Sequence, residues 1–341
     1  MTAHPVDAPT VAIRDYAMSA RILRRVPLMY AAGSDALTDR PAHVRASSGM
    51  AWLGDRLAVV QDDANFVALV DVLSGQCEVL LLPAGYGGLR QFDDQRGNKR
   101  YKSDFEALVA VGNLAVQLIA FGSGSSSSRE NILVIPHAGT APSNVRVVPV
   151  PQFYAGLRAC VAFAGTELNV EGAALVGENI RLFNRGNGAP AGALDPVNAT
   201  CDINCALLLH HVADPVHHEA PLPHNVAQYV LGEIDGVRLS FTDAVAVGDA
   251  VIYVAAAEDS PDAIRDGAVV GSAIGVIRIR DGRTIGRWTP LTLADGAMAR
   301  LKVEGVAIGQ RAGQLFAVVD RDEPDQPSEL LELEVSGLTL G

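Results

Sequence analysis

Aromatic residues, cysteine, positive charge and long apolar runs are all scarce in this 341-residue sequence. Phe, Trp and Tyr make up only 5% of it although 49% is hydrophobic, so any core is built from aliphatic side chains. The longest apolar stretches, such as Leu80–Leu82 and Val251–Ala257, fall far short of the roughly 20 residues a membrane-spanning helix needs. No membrane partner is therefore expected. Lys plus Arg total 27 against 39 Asp plus Glu, a formal net charge of −12. That balance excludes a protein that holds nucleic acid by general attraction to phosphates. The cysteines are four: Cys77, Cys160, Cys201 and Cys205. Cys201 and Cys205 miss the usual spacing of paired zinc thiolates and read as reduced thiols. Met1–Tyr16 contains Asp7, Arg14 and Asp15 and has no apolar stretch, so no secretory leader is expected and a cytoplasmic location is.

Glycine, by contrast, is abundant at 33 residues, and it marks a repeat. A phrase recurs in which an acidic or polar residue and a small residue precede an apolar run that ends in Gly and a polar residue. It reads Ser48-Gly49-Met50-Ala51-Trp52-Leu53-Gly54-Asp55, then Glu106-Ala107-Leu108-Val109-Ala110-Val111-Gly112-Asn113, then Glu171-Gly172-Ala173-Ala174-Leu175-Val176-Gly177-Glu178. Two shorter copies follow, Asp243 to Asp249 and Glu304 to Gln310. The starts at 48, 106, 171, 243 and 304 lie 58 to 72 residues apart, enough for a four-stranded antiparallel blade with its loops. The first repeat shows four such strands: Met50–Leu53, Leu57–Val60, Phe66–Val72 and Cys77–Leu82, separated by Gly, Asp and Asn. The last repeat stops after Gln314–Val319 and Leu330–Val335, one strand short, while Ala20–Tyr30 near the N-terminus is a strand without a partner.

An all-β fold follows: a five-bladed β-propeller whose ring is closed by the N-terminal strand, which removes exposed sheet edges. Six blades, one hidden between Arg181 and Phe241, is the alternative. The expected layout is a single propeller domain over 1–341. It has a tail at 1–19, the closing strand and a connecting segment at 20–47, and blades starting near 48, 106, 171, 243 and 304. Small residues at the start of the inner strands (Ala107, Gly172, Ala244, Gly305) suit close packing around an axis.

In a propeller the starts of the inner strands converge on the central channel. Here they bring Glu106, Glu171, Asp243 and Glu304 together, with Ser48 the neutral member. Carboxylates crowded round an axis require protons, water or a cation. Oxygen-only ligands suit a hard ion, Ca²⁺ first and Mg²⁺ second, with those four acids as the metal ligands. Alternatively each acid accepts hydrogen bonds from the backbone of the next blade and stitches the ring. The loops between second and third strands share the same face and are polar: 61–65, 122–129, 184–188, Glu258-Asp259-Ser260 and Asp320-Arg321-Asp322-Glu323. The segments leading into the inner strands add Arg45, Lys99, Arg100, Lys102 and Asp104. Candidate substrate-binding residues on this face are Asp62, Lys102, Ser125, Ser126, Arg129, Arg185 and Asp320. The run Gly122 to Arg129 is either an anion-binding nest completed by hydroxyls and Arg129 or a flexible hairpin loop. His210, His211, His217, His218 and His224 cluster round the connection 215–223 of the third repeat, on the opposite face. No Gly-x-Ser-x-Gly elbow and no dinucleotide-binding glycine fingerprint occur.

The phrases Asn169-Val170-Glu171-Gly172-Ala173-Ala174 and Lys302-Val303-Glu304-Gly305-Val306-Ala307 resemble the inner-strand phrase of phytase-like (esterase-like) propellers, and are similar to those of calcium-dependent apyrase-like and lactonase-type propellers. The resemblance implies a Ca²⁺-assisted site on the channel face acting on phosphorylated or ester substrates, with Glu106, Glu171 and Glu304 as catalytic acids. Ser48 departs from that pattern. Two functions are therefore carried forward. One is a metal-assisted hydrolase of a phosphoester or lactone with a small anionic ligand. The other is a non-catalytic propeller that binds a small molecule or a protein. A monomer or weak oligomer is expected.

Overall fold

The computed structural model describes residues 8–112, 117–136, 144–259, 267–280, 283–321 and 323–338. Asn113, Ser260 and Asp322, named above, lie outside these residues. The described residues form the expected five-bladed propeller. The first blade runs outward from the axis as Ser47–Leu53, Arg56–Gln61, Phe66–Val70 and Gln76–Leu81. The second is Phe105–Val111, Gln117–Gly122, Asn131–Ile135 and Arg146–Pro149. The third is Val170–Val176, Asn179–Asn184, Asn198–Asn204 and His224–Val230. The fourth is Val237–Val247, Ala250–Asp259, Ala268–Arg280 and Arg283–Thr292. The fifth takes Lys302–Ile308, Gln314–Asp320 and Glu329–Ser336 from the C-terminal end and Ser19–Pro27 as its outer strand, antiparallel to Glu329–Ser336.

The N-terminal segment does more than close the fifth blade. Thr10–Val11 pairs in parallel with the outer strand of the third blade and Ile13–Arg14 with that of the fourth. Met29–Tyr30 pairs with that of the first. One continuous stretch thus covers outer edges that would otherwise offer unpaired N–H and C=O groups.

Glycine in the inner strands has a direct physical reason. A Cβ on Gly49 would lie 2.5 Å from the backbone oxygen of Glu106 and 2.6 Å from Leu108 N. On Gly305 it would lie 2.4 Å from Ser48 O. Adjacent inner strands leave no room there for a larger side chain, and the second blade has the buried Ala107 at this position. Aliphatic clusters fill the spaces between blades. One packs Ala107, Ile119 and Phe121 of the second blade against Val170, Ile180 and Leu182 of the third.

Among the described residues, α-helices interrupt the strand pattern in two places. Pro151–Ala159 and Val161–Ala164 connect the second blade to the third, burying Phe153, Tyr154 and Leu157. Cys205–Ala213 links the third and fourth strands of the third blade, capped by the Asn204 side chain, which accepts from Leu207 N–H.

Candidate functional site

Each inner strand carries a bulge close to its start. The pairing skips Glu106, Glu171 and Glu304 in the second, third and fifth blades. A bulge leaves one residue unpaired and re-aims its side chain, a feature common beside functional sites. In the fourth blade the skipped residue is Thr242, and Asp243 stands one position on. Asp243 is fully buried and accepts a hydrogen bond from Val306 N–H of the fifth blade at 2.9 Å. Its second oxygen has no hydrogen-bond partner. Thr242 likewise donates to Val303 O at 2.6 Å. At this blade, then, the backbone stitching considered above is what the acid does.

The remaining acids fall into two groups joined through Glu106 and Glu171. In the first, oxygens of Asp62, Asp104 and Glu106 all lie within 4.8 Å of one another. Among the described residues this is the one set of three such side chains with metal-binding geometry. Lys102 Nζ stands 2.6 Å from Asp62 and 2.5 Å from Asp104. Arg129 lies 2.9 Å from the other oxygen of Asp104 and donates to Ser125 Oγ at 2.7 Å. Ser48 donates to Glu106 Oε2 at 2.5 Å, so the neutral member of the ring serves its neighbour's carboxyl. Beside this group Arg45 binds Asp63 and Asp93 at 2.5 and 3.1 Å.

The second group holds Glu171, Glu258 and Glu304 against Arg185 and Lys302. Arg185 reaches Glu258 at 2.7 Å and Glu171 at 3.4 Å. Lys302 reaches Glu304 at 3.0 Å and Glu258 at 3.8 Å. Asn169 donates to Glu171 at 2.7 Å.

Burial and neighbouring charge set distinct protonation states. Burial would raise Asp104, but Lys102 and Arg129 overrule it and hold this carboxyl below its usual range. Glu106, within the same cluster, is pushed well above its range by burial, with Glu171, Asp104 and Asp62 adding and Lys102 opposing. Glu171 and Asp243 are raised by burial, Glu304 to about 7, and Asp63 to about 6 by burial and by Asp62. Burial would lower Lys102, but Asp104, Asp62 and Glu106 keep it firmly charged.

Among the described residues, concavities open on this face. A cavity of about 330 Å³ at the channel mouth is lined by Arg45, Asp62, Asp63, Asp93, Lys102 and Asp320, among others. A groove of about 780 Å³ lies between the second and third blades, lined by Arg100, Ser125, Ser126, Arg129, Arg158 and Thr166, among others. The candidate substrate-binding residues therefore divide. Asp62, Lys102 and Asp320 face the mouth cavity, Ser125, Ser126 and Arg129 the groove, and Arg185 is buried in the second acid group. Neither Lys102, Arg129 nor Arg185 has its charge to spare, because each is already matched to carboxylates.

Sequence reasoning placed Asp104 and Arg45 on this face without giving them a role, and missed Asp63, Asp93 and Glu258 as members of the ion-pair clusters. The histidines do lie on the connection between the third and fourth strands. His210 and His218 stack at 3.5 Å, and the buried His211 makes a 2.7 Å hydrogen bond through Nδ1 to His218 O.

Fold and mouth together define a five-bladed β-propeller with a carboxylate-rich ion-pair cluster in its channel. The chain belongs to the family of unknown function DUF6929, which it matches over residues 43–335. No curated protein sequence matches it. Among solved structures it is similar to the glutaminyl cyclase of Myxococcus xanthus, with 9% identity, 96% of this chain and 98% of that one covered, and a TM-score of 0.46. It is also similar to a GH43 endo-arabinanase from Bacillus licheniformis, with 10% identity, coverage of 85% and 93%, and a TM-score of 0.39. A calcium structure of a Trichoderma reesei carbohydrate-active enzyme of family AA12 matches at 9% identity, coverage of 97% and 98%, and a TM-score of 0.41. At these TM-scores the likenesses carry no statement about activity. Among the described residues no helix is long and apolar enough to cross a membrane.

Proposed function

We propose that the channel mouth binds a hard divalent cation, Ca²⁺ first and Mg²⁺ second, and hydrolyses a small anionic phosphoester or lactone. The observation that carries this reading is the approach of Asp62, Asp104 and Glu106 oxygens to within 4.8 Å beside the mouth cavity. Oxygen donors alone, two of them carboxylates in direct contact with a positive charge, fit a hard ion rather than a soft one. A cation held there supplies Lewis-acid polarisation of the electrophile and a more acidic water. Asp104 stays ionised and acts as ligand and proton acceptor. Glu106, held by Ser48 and raised by burial, would be the proton donor with Asp62 and Asp104 carrying the cation. Two neighbouring carboxyls driven to opposite states are the usual basis for dividing acid from base. Arg129, paired with Asp104, also lines the groove, where Ser125 and Ser126 offer hydroxyls to a substrate. The resemblance of the inner-strand phrases to phytase-like propellers supports the same chemistry, with Glu171 and Glu304 as supporting acids.

Turnover of a phosphoester and lactone panel with Ca²⁺, Mg²⁺ and Mn²⁺ tests the proposal. Activity that EDTA abolishes and Glu106→Gln lowers at least about 100-fold in kcat is expected, the scale of lost acid catalysis. Absence of turnover, or rates indifferent to both treatments, rejects it. The second reading, a non-catalytic propeller that binds a small molecule or a protein loop, is favoured by Lys102, whose ammonium already satisfies Asp62 and Asp104. Thermal stabilisation by a metabolite without turnover supports that reading. We further propose a cytoplasmic monomer or weak oligomer; the free state of Cys77, Cys160, Cys201 and Cys205 suits a reducing compartment.

A further inference from the structure

Lys102 occupies the position that a bound cation would take. It precedes the inner strand of the second blade, and its side chain is only 9% exposed. Its Nζ lies 2.6 Å from Asp62 Oδ2 and 2.5 Å from Asp104 Oδ1, and Glu106 adds to the field that holds it charged. These are the same three residues whose oxygens gather within 4.8 Å. An ammonium is costly to bury unless carboxylates compensate it, so their placement fixes where Lys102 ends.

Carboxyl oxygens elsewhere in the channel lack hydrogen-bond partners. Glu304 Oε2 and Asp243 Oδ1, on inner strands of the same channel, have no hydrogen-bond partner, and both side chains are more than nine-tenths buried. Their fields reach the first cluster through Glu171, which is itself raised by Asp104. An ammonium and a divalent ion brought to the same carboxylate oxygens repel each other across a few ångströms, so the two compete for them. The mouth cavity that Lys102 lines beside Lys99 offers the displaced ammonium a hydrated position.

We propose that Lys102 is a tethered competitor for the cation site: a divalent ion enters by displacing its ammonium from Asp62 and Asp104. The inference rests on the cation reading of the channel mouth and deepens it by naming the residue that sets affinity. With the ammonium in place the cluster is compensated without any metal. Replacing it by a neutral side chain of similar length leaves the carboxylates to the ion alone.

Calorimetric titration of the full chain with Ca²⁺ tests this on the wild type, Lys102→Met and Lys102→Arg, with thermal melts in EDTA and in Ca²⁺. Lys102→Met is expected to bind Ca²⁺ at least tenfold more tightly than wild type. It should melt lower in EDTA and regain more stability from Ca²⁺ than wild type does. Lys102→Arg, which keeps the charge, should resemble wild type in all three respects. Equal or weaker binding by Lys102→Met overturns the proposal, as does Lys102→Arg binding as tightly as Lys102→Met. A measurement that needs no variant is the ¹³Cε resonance of Lys102 in the wild type. It should move as Ca²⁺ saturates the site, and a static signal at saturation overturns the proposal. Failure of the cation reading looks different. If wild type shows no saturable binding while Lys102→Met binds tightly, the native site takes no ion and Lys102 is its permanent replacement. No binding by either protein overturns both.

Discussion

Glu304→Gln should make the protein more stable at neutral and alkaline pH and leave it unchanged in acid. The Glu304 side chain is 7% exposed, with Oε1 3.0 Å from Lys302 Nζ and Oε2 lacking a hydrogen-bond partner. Burial, helped by Glu171 and opposed by Lys302 and Arg185, raises its carboxyl from 4.5 to about 7. A raised carboxyl means that the folded state holds its proton longer than the unfolded state. Its contribution to stability is therefore complete below pH 4.5 and is lost as the pH climbs from there to about 7. At about 1.4 kcal/mol per pH unit that loss approaches about 3 kcal/mol. Gln keeps the shape and stays neutral, so it avoids the loss. Lys302 is not stranded by the change, because Glu258 lies 3.8 Å from it. With an unfolding entropy of about 2.1 cal/mol/K per residue, 1 kcal/mol moves Tm by about 1.4 °C in a chain of this length. The variant should then melt up to about 4 °C above wild type at pH 8 and level with it at pH 4.5. Melts by circular dichroism in EDTA, taken at half-unit steps, give the comparison. A Tm difference that does not change with pH, or one that favours wild type as pH rises, refutes the assignment of a buried, proton-holding Glu304.

Two other expectations concern the ring itself. Gly49→Ala should destabilise by more than about 2 kcal/mol in urea unfolding, because its Cβ meets the rigid backbone of Glu106 and Leu108 rather than a side chain that can turn aside. A cost below about 0.5 kcal/mol would show that the inner strands are free to part. A chain beginning at residue 31 should lose its cooperative thermal transition, since it lacks the outer strand of the fifth blade and three parallel edge pairs. Adding residues 8–30 as a separate peptide should restore the transition. Retention of the full-length Tm without the peptide rejects the clasp.

The architecture was legible because a propeller repeats one solution five times. Where an inner strand presses against its neighbour's backbone four blades carry Gly or Ala, as Gly49, Ala107, Gly172 and Gly305 show, and the fourth carries Asp243; that constraint surfaces in the sequence as a phrase. The bulges surface too, as the acid or Ser ahead of the small residue. The helices did not stand out because each occurs once. Their signals were nonetheless present: Pro151 at the first turn of one and Asn204 as the cap of the other. The pairings within the channel were hidden for a different reason. Arg185 meets Glu258 across 73 residues and Lys102 meets Asp62 across 40, each joining neighbouring blades. Period and composition place such residues on one face but leave open which blade's side chain reaches which carboxylate.

That pairing is what separates a structural acid from one suited to chemistry. Glu171, Glu304 and Asp243 are all raised, chiefly by burial. A buried carboxyl that keeps its proton can stitch blades, as Asp243 does by accepting from Val306 N–H. The cluster of Asp62, Asp104 and Glu106 differs because two cations, Lys102 and Arg129, converge on a single member. Asp104 is thereby ionised while Glu106, on the same strand lead-in, keeps its proton. The asymmetry arises from the second blade alone, where Lys102 and Arg129 both reach Asp104. In the fifth blade Glu304 repeats the place of Glu106, and a cation, Lys302, stands where the second blade has Asp104. A ring that repeats its backbone five times thus differs at one place through a few side chains, and it is there that the proposed cation binding and proton transfer would converge.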